Sequence, residues 1–212
     1  KCSLFTGSHK TLPEEKASGF YLYSIINHKK MENSSIIKIE NLVKKFPMGK
    51  GEFTALSGIG LTLSQGEFAG LIGPSGSGKT TLLNIIGSLD VPTSGLVKVL
   101  GQSISELNAK ESARLRKENL GFIFQSYNLL AVHTVYENVE FPLLLLGLSS
   151  GERKKMVMDA LEWVGLTDKI RSKPPQLSGG ECQRVAVARA MVKKPSIVLA
   201  DEPTANLDAA NS

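Results

Sequence analysis

The chain has 212 residues, 42% of them hydrophobic, enough for one domain with a real core or one domain plus a subdomain. Its formal net charge is only +5, and five lysines against two glutamates in residues 1–30 supply most of it, so the remainder gives no support for nucleic-acid binding. Two distant cysteines, Cys2 and Cys182, exclude a disulfide framework and a zinc pattern, and the apolar run "LLLLGL" is far short of the ~20 residues that span a bilayer.

In chain order, residues 1–30 start at Lys1, and Met31 opens a more regular stretch. The expectation is an extension over 1–30 with no role in the fold, then a domain over 31–212 that is incomplete at its C-terminus. Residues 36–46 and 53–64 alternate as strands, with a turn over 47–52. A short apolar run, 68–72, precedes a glycine-rich loop, and 79–89 has helical periodicity. A turn at 92–95 leads to a strand at 96–100, and "GFIF" at 121–124 reads as a buried strand. Residues 134–146 and 151–164 read as helices, Gly165 suits a helix end, 173–180 breaks the pattern, 181–193 is helical, and 197–200 is an apolar strand. Strand–helix alternation predicts an α/β fold with a parallel core, and the middle of the chain a helical insertion, about 129–178.

"GPSGSGKT", from Gly73 through Pro74, Ser75, Gly76, Ser77 and Gly78 to Lys79 and Thr80, fits G-x-x-x-x-G-K-[ST], with a strand before it and a helix after it. Glycines let backbone N–H groups turn around phosphate oxygens, and the helix start adds a positive dipole end. Lys79 can reach the β- and γ-phosphates, and the Thr80 hydroxyl can ligate Mg²⁺. The acids at the tip of the last strand then have a substrate: Asp201 as a magnesium anchor, acting through water, and Glu202 as acceptor of a proton from an attacking water. A chance glycine turn and solvated loop acids are the plainer alternatives.

"LSGGE", from Leu177 and Ser178 through Gly179 and Gly180 to Glu181, puts a hydroxyl and two glycines at another helix start. That is a second anion cradle, or a plain helix cap. Two cradles for one nucleotide suggest a dimer in which each ATP is shared.

These motifs together resemble the nucleotide-binding subunits of ABC (ATP-binding cassette) transporters, from about residue 36 to the end. In that resemblance Gly73–Thr81 is the Walker A loop, with Thr81 its last residue, and "LSGGE" is the signature that acts in trans. "IVLADE" is similar to Walker B, with Glu202 catalytic. Gln125 stands at the Q-loop position, touching metal and attacking water. Asn206, Leu207 and Asp208 resemble the D-loop. Phe46 stands where an adenine-stacking aromatic belongs, or is simply a sheet residue. "FIFQSYNLL", "ENVEFPLLL" and "ADEPTANLD" resemble the lipoprotein-releasing and macrolide-export branch.

The resemblance implies a P-loop NTPase core with an antiparallel β-subdomain and a helical insertion, ATP and Mg²⁺ as cofactors, and an ATP-hydrolysing subunit that powers a permease. It implies a second ATP-binding subunit, a homodimer, with no nucleic acid, in the cytoplasm against the inner face of the membrane. Tyr127, Asn128, Leu129 and Leu130 are candidates to receive the permease, or are core residues. Cys182 is a passive neighbour of the signature. His9, His28 and His133 all precede the signature, so none matches the family's switch histidine, and the 212-residue chain is expected to hydrolyse ATP poorly. ABC proteins of DNA repair or translation, and structural dimers of the cell-division type, are the competing classes.

Overall fold

The computed structural model describes residues 21–25 and 35–203, which form two compact units, 1–107 and 108–212. In the first unit, β1 is Tyr21–Ile25, β2 Ser35–Met48, β3 Gly51–Ser64, β4 Phe68–Ile72, α1 Lys79–Ile86, β5 Ser94–Val99 and β6 Gln102–Ser103. The sheet order β3-β2-β5-β6 is antiparallel throughout. Ile37, Ile39 and Leu42 of β2, Leu56 and Ile59 of β3 and Val97 and Val99 of β5 are buried, as half-buried alternating strands require. The expected turn is tighter than 47–52: Met48 pairs with Gly51, so only two residues turn the chain.

β4 departs from the expectation of a parallel core. It pairs antiparallel with β1, from Tyr21 against Ile72 to Ile25 against Phe68. Five residues of the stretch expected to lie outside the fold are therefore a strand. The physical reason is the open edge of β4, a row of N–H and C=O groups that any extended segment can satisfy. Phe68 and Ile72 of β4 remain exposed.

In the second unit, α2 is Ala109–Asn119, β7 Leu120–Ile123, α3 Val135–Leu144, α4 Ser150–Trp163, α5 Gly179–Met191 and β8 Ile197–Ala200. β7 and β8 are parallel, Leu120 beside Ile197 through Ile123 beside Ala200. Gly121 lets α5 lie close on β7, since a Cβ there would stand 2.6 Å from the Ala190 carbonyl oxygen. β8 is less enclosed than its composition suggests: Ile197 and Leu199 are buried, but Val198 is 39% exposed. α3 and α4, within the stretch expected as a helical insertion, share one core with α5: Val135, Val139, Leu143, Val157, Leu161, Leu166, Val185, Ala188 and Val192. Capping boxes open α2 at Asn108 and Glu111, α3 at Thr134 and Glu137, α4 at Ser149 and Glu152, and α5 at Ser178 and Glu181. Among the described residues no helix is long and apolar enough to cross a membrane.

Candidate functional site

The phosphate loop belongs to the first unit. β4 ends at Ile72, the loop runs from Gly73, and Gly78 hands over to α1 at φ 93°. That left-handed backbone and the close packing both require glycine, because a Cβ at Gly78 would lie 2.7 Å from the Ala55 carbonyl oxygen. Unlike α2–α5, α1 starts without a side-chain cap and without an acid in its first turn. Its leading N–H groups and dipole are thus left for an anion. The Ser77 Oγ is buried, and no group among the described residues hydrogen-bonds it. Lys79 folds back: its Nζ donates to the Gly73 carbonyl at 2.8 Å and the Pro74 carbonyl at 3.0 Å. A short loop of Gly73, Pro74, Ser75, Gly76 and Ser77 with an unpaired hydroxyl, an ammonium and a bare helix start fits a polyphosphate. Thr80 and Thr81 enter the first turn of α1.

Phe46 lies on β2 opposite Phe53, and both rings are partly exposed. Lys44 places its Nζ 4.8 Å from the centre of the Phe46 ring while bonded to Asp90 at 2.6 Å. The ring is thus held by a cation on an accessible surface, and a base can stack on it.

Gln125, Asp201 and Glu202 belong to the second unit. Parallel pairing of β7 with β8 brings their C-terminal ends together, and the Asp201 N–H extends the ladder to the Ile123 carbonyl at 2.9 Å. Beyond it, the Gln125 Nε2 donates to the Glu202 Oε2 at 2.7 Å. Glu202 sits at φ 45°, a turn off the strand that separates its side chain from that of Asp201. Within the second unit, Gln125 and Asp201 offer an amide oxygen and a carboxylate, hard donors of the kind Mg²⁺ takes.

The signature residues form the start of α5. The Ser178 Oγ accepts from the Glu181 N–H at 3.2 Å, and Glu181 accepts from the Ser178 N–H at 2.7 Å. The Ser178 N–H and hydroxyl hold the Glu181 carboxyl below its usual range. Ser178 therefore caps its helix within this chain, and Gly179 and Gly180 form the first turn after Leu177. Cys182 is buried, and burial pushes its thiol pKa up, the opposite of what a nucleophile needs. Asn206, Leu207 and Asp208 lie outside the described residues.

Two residues in the second unit were not singled out by sequence. Asn138 is fully buried and holds the loop before α3 through Leu130 N–H and the carbonyls of Leu130, His133 and Thr134. Arg189 of α5 donates to the carbonyls of Tyr127 and Asn128, just after Gln125. Neither carries a motif, although an Asn within an apolar helical stretch is a signal for a buried anchor.

A phosphate loop at the end of a strand, with a glutamine and an acid pair at the ends of parallel strands, defines an ATP-binding cassette. The chain belongs to the ABC transporter family, whose description it matches over residues 56–205. It is the ATP-binding, ABC-type ATPase component of that family, with the P-loop α/β fold. It is 48% identical over 180 residues to the lipoprotein-releasing system ATP-binding protein LolD of Pseudoalteromonas translucida, covering 85% of this chain and 78% of that one. It is 46% identical over 177 residues to the macrolide export ATP-binding/permease protein MacB of Hyphomonas neptunium, covering 84% of this chain but 27% of that longer protein. A solved dimer of the ATP-binding cassette MJ0796, in a post-hydrolysis state bound to ADP and Pi, superposes with a TM-score of 0.75 at 40% identity, over 82% of this chain and 77% of that one.

Proposed function

We propose that this chain binds ATP with Mg²⁺, pairs with a second ATP-binding subunit, and couples hydrolysis to a membrane permease of the lipoprotein-releasing and macrolide-export type. The observation that carries the reading is the Gln125–Glu202 hydrogen bond of 2.7 Å at the ends of β7 and β8. It sets a group suited to metal and water beside the carboxylate suited to take a proton. Bound magnesium would neutralise charge on the phosphates. The Walker A residues Gly73–Thr81 cradle them, Lys79 exchanging its carbonyl partners for phosphate oxygens, and Phe46 stacks on the adenine. Thr80, Asp201 and Gln125 would hold the metal. Glu202 takes the proton from the attacking water, and Leu177–Glu181 with Asn206–Asp208 serve the partner's nucleotide.

The cassette is assigned to residues 31–212, and its place is the cytoplasmic face of the membrane beside the permease. The likeness to LolD and MacB supports this partner class, and the dimeric MJ0796 cassette supports the pairing.

The test is nucleotide titration with magnesium, followed by co-purification with a permease that has few spans and a large extracytoplasmic domain. Micromolar ATP binding together with a stable complex is the expected result. ATP binding without any permease complex points instead to a structural dimer, and loss of ATP binding overturns the reading.

A further inference from the structure

The turn after Gln125 is held in an uncommon backbone conformation. Tyr127 and Asn128 have φ of 59° and 49°, two successive left-handed residues with no glycine between them. Local bonds contribute: Tyr127 N–H to the Phe124 carbonyl at 3.0 Å, Asn128 N–H to the Ser126 carbonyl at 2.6 Å, and the Ser126 hydroxyl to the Asn128 side-chain oxygen at 2.8 Å. Two further bonds come from α5. Arg189 sets one fork of its guanidinium on both exposed carbonyls, Nη1 on Asn128 and Nη2 on Tyr127, each at 2.5 Å. Burial pushes the Arg189 pKa down, so the guanidinium is substantially desolvated and the carbonyls are its compensation. Arg189 shares α5 with the signature, whose cap is Ser178, roughly three turns away.

We propose that Arg189 is a positioning residue for hydrolysis: its fork holds the 126–128 turn and so aims Gln125 at Glu202, tying the signature helix to the Gln125–Glu202 pair. This rests on the reading that Gln125 and Glu202 serve hydrolysis. The planar guanidinium meets the two successive carbonyls through two separate nitrogens, which fixes its plane as well as its position. A lysine keeps the charge but is a point donor, so Arg189→Lys removes the geometry selectively.

The experiment uses the full chain with Arg189→Lys, Gln125→Ala and the double variant. It measures single-turnover phosphate release with magnesium, ATP affinity, melting temperature and amide hydrogen exchange over 125–130. R189K is expected to slow phosphate release roughly 10- to 100-fold, as a sub-ångström to ångström misplacement does. ATP affinity and melting temperature stay at wild-type values, and exchange over 125–130 quickens. Added to Q125A, R189K gives no further loss. Asn128→Gly, which accepts a left-handed backbone without a clamp, restores part of the rate to R189K, an effect that general misfolding would not show. A wild-type rate for R189K where Q125A is slow overturns the positioning role and leaves the Gln125 reading standing. Multiplying effects in the double variant, or no rescue by N128G, also overturn it. A wild-type rate for Q125A overturns the reading of Gln125, and this inference with it.

Discussion

Gln125 and Glu202 are 77 residues apart in the chain and joined by one hydrogen bond of 2.7 Å, from the Gln125 amide nitrogen to the Glu202 carboxylate. Parallel strands β7 and β8 make that contact possible, since both end at the same edge. The amide nitrogen is the donor of this bond and the Glu202 carboxylate the acceptor; the proposed mechanism makes that carboxylate the acceptor of the proton from water as well. Replacing Glu202 with glutamine keeps the shape and removes that acceptor. Glu202→Gln should retain ATP binding and reduce phosphate release on the order of 10²–10⁴-fold. Size-exclusion chromatography with ATP should then show a dimer; a monomer at saturating ATP counts against sharing of the nucleotide between subunits.

Lys79→Ala should weaken ATP binding severely and leave the melting temperature nearly unchanged. The ammonium rests on two loop carbonyls rather than in the core, so little packing is lost. What disappears is the side-chain cation of the loop that faces the phosphates. Nucleotide titration decides it: unchanged affinity would mean that the loop is not the site.

Asn138→Ala should destabilise the second unit by about 2–4 kcal/mol, since the Leu130 N–H and the His133 carbonyl lose the amide, while the Leu130 and Thr134 carbonyls keep only their backbone donors, His133 N–H and Asn138 N–H. Asn138→Asp should cost more, because it replaces the donating group with a carboxylate against those carbonyls. Urea unfolding of the three proteins checks the order.

Acid should loosen the helical region in a defined window. Glu137 and Glu181 are held below the ordinary carboxylate value of 4.5 chiefly by the backbone N–H groups of Thr134 and Ser178, and Glu152 chiefly by the Ser149 hydroxyl. A folded pKa below the unfolded one means that the stabilisation is complete above 4.5 and is lost as pH falls through the folded values. Urea midpoints should therefore hold from pH 7 to 5 and fall below 4.5. Replacing all three with glutamine should flatten that fall; an unchanged profile would rule the boxes out as its cause.

The elements legible in the sequence were those with apolar periodicity, together with the glycine-marked loop. What escaped notice had polar exteriors or distant partners. Leu115 is the one buried residue of α2, so no apolar stripe announces it; its Asn108–Glu111 capping box was the available signal. The pairing of β1 with β4 joins a polar-flanked segment to an open strand edge, which no local pattern encodes. Among candidate site residues, the motifs singled out the loop, the acids and Gln125. Arg189 carried no motif, because its part depends on the left-handed carbonyls it meets 61 and 62 residues earlier.

Ser77 separates binding from stability. Its hydroxyl oxygen is buried in the loop, and no group among the described residues hydrogen-bonds it, a condition that costs a folded protein about 1–3 kcal/mol when water cannot reach the atom. A phosphate oxygen is a partner of the right kind, because the hydroxyl can donate to it. Ser77→Ala therefore removes a liability from the nucleotide-free protein and an interaction from the bound one. The nucleotide-free variant should melt at or above the wild-type temperature. Its ATP affinity should fall roughly five- to thirtyfold, equivalent to about 1–2 kcal/mol for one lost hydrogen bond to a charged group. The two effects have opposite signs, so general damage to the loop cannot produce both. Calorimetric melting without nucleotide and titration with ATP measure them separately. A lower melting temperature with unchanged affinity would show that Ser77 supports the loop itself and does not face the phosphates.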